Sequence, residues 1–146
     1  TEQMFRGMDE KEKAEFPGDE GLKAVFINAR IEELEGEEWA YNEGCLSIPD
    51  VREDIQRQET IRIAFMDEKG QHHEETYSGM AARVIQHEYD HIEGKLFTDK
   101  LSPLRKTMLK SKLDSISKGF VKVNYKMKFP TVKSGAKSTK SKSKKR

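Results

Sequence analysis

The chain has 146 residues, 36% of them charged and 34% hydrophobic, with a formal net charge of +1. That length suits one domain, and so lean an apolar fraction suits a small core with unstructured ends. No apolar run is long enough to span a membrane, no signal peptide is seen, and a single cysteine excludes an intramolecular disulfide. A reducing, cytoplasmic setting is expected.

Charge is unevenly placed. Thr131 to Arg146 carries seven Lys/Arg and no acid, which leaves twenty basic against twenty-six acidic residues in the rest. The near-neutral total therefore hides an acidic body and a basic tail. Three parts are expected: a polar arm over 1–21 containing Pro17-Gly18, a folded domain over 22–129, and a disordered Ser/Lys-rich tail over 130–146.

In chain order, Ala24-Val25-Phe26-Ile27 predicts a short buried strand, and Glu32 to Glu38 an acidic turn. Trp39, Ala40 and Tyr41 lead into Glu43-Gly44-Cys45-Leu46-Ser47-Ile48-Pro49. Extended segments follow over Arg52–Arg57, Thr60–Met66 and Gln71–Tyr77, with Asp67-Glu68-Lys69-Gly70 as a hairpin turn. His72 and His73, being adjacent, point to opposite faces of a strand and read as solvated residues. Ser78 is placed as N-cap of a central amphipathic helix and Gly94 as its stop. Ser102-Pro103 opens a second helix in cap and N1 order, with a stripe of Leu104, Met108, Leu109, Leu113 and Ile116, and Gly119 closes it. Alternation from Val121 to Phe129 predicts a final strand. The expected fold is α+β, with antiparallel strands packed around the central helix, then a second helix and a last strand.

The chemistry centres on His87-Glu88-Tyr89-Asp90-His91. Positions i and i+4 share a helix face, so His87 and His91 can hold one metal ion while Glu88 serves as general base toward its water. His and Glu on a buried face are costly unless coordinated or hydrogen-bonded. Asp90 reads as an outer-shell or salt-bridge residue. A catalytic tetrahedral site needs a third protein ligand. The long zinc-protease pattern would put a His where Phe97 stands. The downstream-Glu pattern finds only Asp114 between Lys100 and Lys118. Cys45 remains, and a thiolate with two imidazoles leaves a fourth position open.

EGCLS followed some forty residues later by HEYDH resembles peptide deformylase, from about Val25 to Ile116. The resemblance implies a metal-dependent hydrolase that removes the formyl group from the N-terminal formyl-methionine of new proteins. It implies iron(II) held by Cys45, His87 and His91, with zinc, nickel or cobalt as substitutes. It also implies an oxyanion contact from the backbone NH of Leu46. The predicted substrate-binding set is Glu43, Gly44, Arg52 and Val84. Gly44 admits a peptide backbone closely, and Val84 suits an apolar methionine pocket with Arg83 at its rim. Arg52 reads either as the family's peptide-holding Arg or as a strand-surface charge.

The family's upstream Gly-rich GxGxAAPQ motif, whose Gln helps hold the formyl oxygen, is not found between Thr1 and Glu43. The chain is therefore expected to lack the N-terminal third of a deformylase. Two other readings stand beside the deformylase: a different metal amidase or peptidase using the same helix, and a metal-binding piece without catalysis. Expected partners are formyl-methionyl nascent chains, with loose ribosome attachment through the basic tail, and no membrane or specific DNA.

Overall fold

The computed structural model describes residues 22–128. A long antiparallel hairpin, β1 (Ile27–Cys45) and β2 (Ile48–Met66), is followed by β3 (His72–Ser78). The sheet order is β1-β2-β3. Helix α1 (Gly79–Ile92), a 3-10 turn (Phe97–Lys100) and helix α2 (Pro103–Ser117) complete an α+β arrangement. No helix among the described residues is long and apolar enough to cross a membrane.

β2 shows the period-2 pattern of a strand with one covered face: Val51, Glu53, Ile55, Arg57, Ile61, Ile63 and Phe65 are buried. Its inward residues supply two apolar clusters in succession. Ile48, Val51 and Ile55 pack with Phe97, Leu101 and Ile116. Ile61, Ile63 and Phe65 pack with Ala82 and Ile85 of α1. Arg57 lies between the clusters in sequence, 2% exposed.

Several elements differ from the sequence expectation. Val25 is 46% exposed, so Ala24-Val25-Phe26-Ile27 is not a buried strand, and regular structure begins at Ile27. Glu32 to Glu38 is no turn but the middle of β1. Its pairing with β2 continues across register shifts, one of them between Glu35 and Glu38 beside Gly36, whose φ is 81°. Acidic composition argued for a turn there; the backbone ladder with β2 overrides that weak local preference. The Arg52–Arg57 and Thr60–Met66 segments form one continuous strand. The expected turn at Asp67-Glu68-Lys69-Gly70 is present, with Asp67 accepting from the Lys69 and Gln71 amides.

Ser78 stands at the N-cap of α1 without a side-chain cap; its Oγ lies 3.0 Å from Thr60 Oγ1 instead. Gly94, at φ 70°, follows the helix end as expected. In α2, Ser102 accepts from the Arg105 amide and Pro103 sits in the first turn. Of its apolar stripe, Leu109, Leu113 and Ile116 pack inward, whereas Leu104 and Met108 are 71% and 62% exposed. The final strand over Val121 to Phe129 does not form: residues 121–128 have no strand assignment, and Phe129 lies outside the described residues. The alternation survives as packing, since Val121 joins the first cluster. His73 is not simply solvated, because it stacks on Phe65 and pairs with Asp67 at 3.0 Å. The 1–21 arm and the 130–146 tail lie outside the described residues.

Candidate metal centre and active site

Cys45 is the last residue of β1, and Leu46-Ser47 is the two-residue turn joining it to Ile48. This tight corner projects the sulfur toward α1, where His87 and His91 stand one helical turn apart. One ligand atom from each of Cys45, His87 and His91 lies within 4.8 Å of the others. Cys45 Sγ is 3.3 Å from His91 Nε2, close to the ~3.6 Å separating a sulfur and a nitrogen ligand on one tetrahedral ion. The donor set is thus the right chemistry at the right spacing for a divalent metal. His87 and His91 approach at 5.0 Å between ring centroids.

Behind the centre lies a buried ionic network. Glu43 Oε2 is 3.1 Å from His87 Nδ1, which directs the other ring nitrogen toward the sulfur. Arg57 clamps the same carboxylate with Nε at 2.7 Å and Nη2 at 3.0 Å. Its Nη1 donates to Asp90 Oδ2 at 2.8 Å. Arg83 Nη1 donates to Glu43 Oε1 at 2.5 Å and to the Ile55 carbonyl at 3.0 Å, while its guanidinium lies 4.0 Å over the Trp39 ring. Arg83 lines the open cleft beside the centre while its guanidinium is held in this network. It is 2% exposed, because a buried carboxylate with one arginine already shared with Asp90 recruits a second cation.

The electrostatics follow from these contacts. Burial works to raise the Glu43 carboxyl, yet hydrogen bonds from His87 and Arg57, with Arg83 behind them, bring it down to about 2. Burial likewise pushes the Cys45 thiol up, and contacts with His87, Ser47 and His91 bring it down to about 6. The sulfur and then Glu43 raise His87 to about 9. In the metal-free chain, between these two values, Cys45 and His87 stand as a thiolate–imidazolium pair. This is the charge state from which a metal ion displaces a proton.

An open cleft of about 970 Å³ runs past the centre. Of the residues singled out from the sequence, Gly44, Cys45, Leu46, Arg52, Arg83, Val84, His87, Glu88 and His91 line it. Glu88 is exposed and also borders an apolar hollow of about 320 Å³ on the other side of α1. Glu43 lines the cleft as well, but its oxygens are engaged by Arg57, Arg83 and His87. Arg52 is exposed and donates from Nε to Asn42 Oδ1 at 2.9 Å. A Cβ on Gly44 would come within 3.2 Å of Arg52 Nη1, so this position has no room to spare.

Arg57 and Tyr125 were missed from the sequence. For Arg57 a signal existed: it shares the inward parity of Ile55, Ile61 and Ile63, where an unpaired charge would be untenable. Tyr125, whose hydroxyl donates to the Leu46 carbonyl at 2.9 Å, depends on a long-range contact that no local pattern announces.

The polypeptide deformylase profile matches residues 3–107. A peptide deformylase from Christiangramia forsetii is 65% identical over 112 residues, covering 77% of this chain and 57% of that protein. The crystal structure of Arabidopsis thaliana peptide deformylase 1B with an inhibitor matches at TM-score 0.64 and 32% identity, over 73% of this chain and 59% of that one. The Met-Ala-Ser-bound class I type b peptide deformylase from Acinetobacter baumannii matches at TM-score 0.52 and 36% identity, over 53% and 49%. The chain spans 57% of the length of the Christiangramia relative and 64% of the length of one from Flavobacterium johnsoniae. With the profile covering most of its length and both motifs meeting at one corner of the fold, the chain belongs to the polypeptide deformylase family.

Proposed function

We propose that this chain carries the catalytic centre of a peptide deformylase, hydrolysing the formyl amide of N-formyl-methionyl peptides. The observation that carries the reading is the meeting of Cys45 with His87 and His91 beside Glu88 in an open cleft. When bound there, a divalent metal, iron(II) on the family resemblance and zinc, nickel or cobalt as substitutes, supplies Lewis acidity toward the attacking water and the formyl oxygen.

The chain's own residues do the rest. Glu88 takes a proton from the attacking water and returns it to the leaving amine. The Leu46 NH, at the turn beside Cys45, donates to the developing oxyanion. Glu43 holds the Nδ1–H of His87 rather than touching substrate, so that His87 Nε2 is the ligating atom. Val84 lies on the cleft wall and fits an apolar site for the methionine side chain, while Arg52 and Gly44 border the path of the peptide backbone. The Met-Ala-Ser found in the Acinetobacter relative is the product such a reaction would leave. Nascent chains in the cytoplasm, with loose ribosome contact through the basic 130–146 segment, are the proposed setting.

The test is turnover of formyl-Met-Ala-Ser by the 146-residue chain loaded anaerobically with iron(II), with Glu88→Ala as control. We expect the substitution to lower kcat by about a hundredfold or more with one metal still bound per chain. Equal turnover in the control would remove Glu88 from the mechanism. A second reading rests on length: a chain spanning 57% of its relative can bind metal and yet lack groups needed for turnover. Metal bound without turnover would select it.

A further inference from the structure

The segment after α2 has no regular structure, yet it is anchored at several points. Gly119 turns the chain at φ 81°, the Phe120 amide donates to the Ser115 carbonyl at 2.9 Å, and Val121 packs into the first apolar cluster. Lys122, Val123, Asn124 and Tyr125 then form part of the cleft wall facing the Cys45 corner. There the Tyr125 hydroxyl donates to the Leu46 carbonyl at 2.9 Å, across 79 residues of sequence.

That carbonyl belongs to the Leu46–Ser47 peptide plane. The N–H of the same plane belongs to Ser47, in the turn that follows Cys45. A peptide unit is planar and its C=O and N–H point in opposite directions, so a donor on the carbonyl fixes the direction of the N–H. The plane is thus held at its carbonyl edge by Tyr125. The Leu46 side chain beside it is 75% exposed. A two-residue turn without such support samples alternative orientations, and a shift of the turn at Leu46 is passed to the adjoining Cys45–Leu46 peptide, which carries the Leu46 N–H.

We propose that Tyr125 is a positioning residue for the catalytic corner, fixing the Leu46–Ser47 peptide with its Ser47 N–H and, through that turn, the adjoining Cys45–Leu46 peptide whose N–H addresses the substrate oxygen. The C-terminal segment is then a working wall of the cleft. The Leu46 part of this inference rests on the deformylase reading above; the Ser47 part does not.

The test is Tyr125→Phe in the full 146-residue chain, which keeps the ring and removes only the donor. In the zinc-loaded protein, Ser47 amide exchange followed by NMR should accelerate about tenfold. In the cobalt-loaded protein, the thiolate-to-metal absorption band should shift as the turn beside the sulfur moves. In the iron(II)-loaded protein, kcat on formyl-Met-Ala-Ser should fall about tenfold with KM within twofold, since a misplaced donor costs rate rather than ground-state binding. Unchanged Ser47 exchange and an unchanged band would overturn the proposal. Faster exchange with unchanged kcat would overturn its catalytic part. Absence of turnover in the parent chain would count against the deformylase reading instead, and exchange and absorption would then decide alone whether Tyr125 holds the corner.

Discussion

The two ends of the β1–β2 hairpin use the same residue types to different effect. Near the turn, Glu43 and Arg57 pair with side chains 5% and 1% exposed, and Arg83, Asp90 and His87 share in the network. At the far end, Arg62 reaches Glu33 and Glu74 with all three side chains one-third to more than one-half exposed. Water competes for the far pairs and screens them, whereas the near network has no solvent to fall back on. A third case lies between: Glu43 and Glu53 are Cα partners across the hairpin, and Glu53 is relieved by Arg105 at 2.5 and 3.0 Å from α2. Two acids face to face would repel; each is instead turned to a different arginine, one serving the metal centre and one tying α2 to the sheet.

Removing one member of the near network is the most direct way to break this contrast. Arg57→Met should destabilise the chain by about 3 kcal/mol, because it removes the cation shared by two buried carboxylates, leaving Glu43 to Arg83 and His87 and Asp90 to Lys100 alone. Urea unfolding would measure this, and a loss below about 1 kcal/mol would mean that water reaches the network.

Acid titration sharpens it. Glu43 is held near 2, below its ordinary 4.5, so its contribution is fully present above 4.5 and is lost as the pH falls from there toward 2. The drop should be about 3 kcal/mol, read as parent stability minus that of Glu43→Gln across this range. A constant difference between the two proteins would show the shift to be absent.

Metal removal gives a chemical readout. With its thiol brought down to about 6 by its neighbours, Cys45 in the metal-free chain should be alkylated by iodoacetamide with a midpoint near pH 6. Bound zinc should block the reaction. A midpoint near 9 in the metal-free chain would mean the sulfur and His87 do not interact. The smallest effect is expected at the far end of the hairpin, where Arg62→Ala should leave Tm unchanged in moderate salt. A clear loss there would make the distal pairs structural after all.

Much of the site was legible because its chemistry is local. HEYDH encodes its geometry through the helical repeat, which puts His87 and His91 on one face whatever surrounds them. Cys45 followed by elimination, once the usual third ligands were found missing from their places. Substrate contacts were harder to read: Glu43 reads as a peptide-binding residue in EGCLS, and nothing in that motif announces that Arg57, Arg83 and His87 share its carboxylate. Arg83 looked like a rim residue because a cation in an apolar pocket is improbable, and the partner that makes it tolerable is forty residues away.

The sequence by itself determined the helix that carries HEYDH, its ends near Ser78 and Gly94, the hairpin at Asp67 to Gly70 and the candidate set of Cys45, His87 and His91 that the fold brings together. These depend on residues within one or two turns of each other, or on donor chemistry alone. Only the tertiary structure decided that Glu32 to Glu38 is strand, that 121–128 is not, and that Tyr125 reaches Leu46. Strand formation requires a partner to complete its hydrogen-bond ladder. The acidic stretch of β1 has β2 beside it, whereas the alternating segment after α2 finds an apolar cluster and a single carbonyl, which hold it in place without making it part of a sheet.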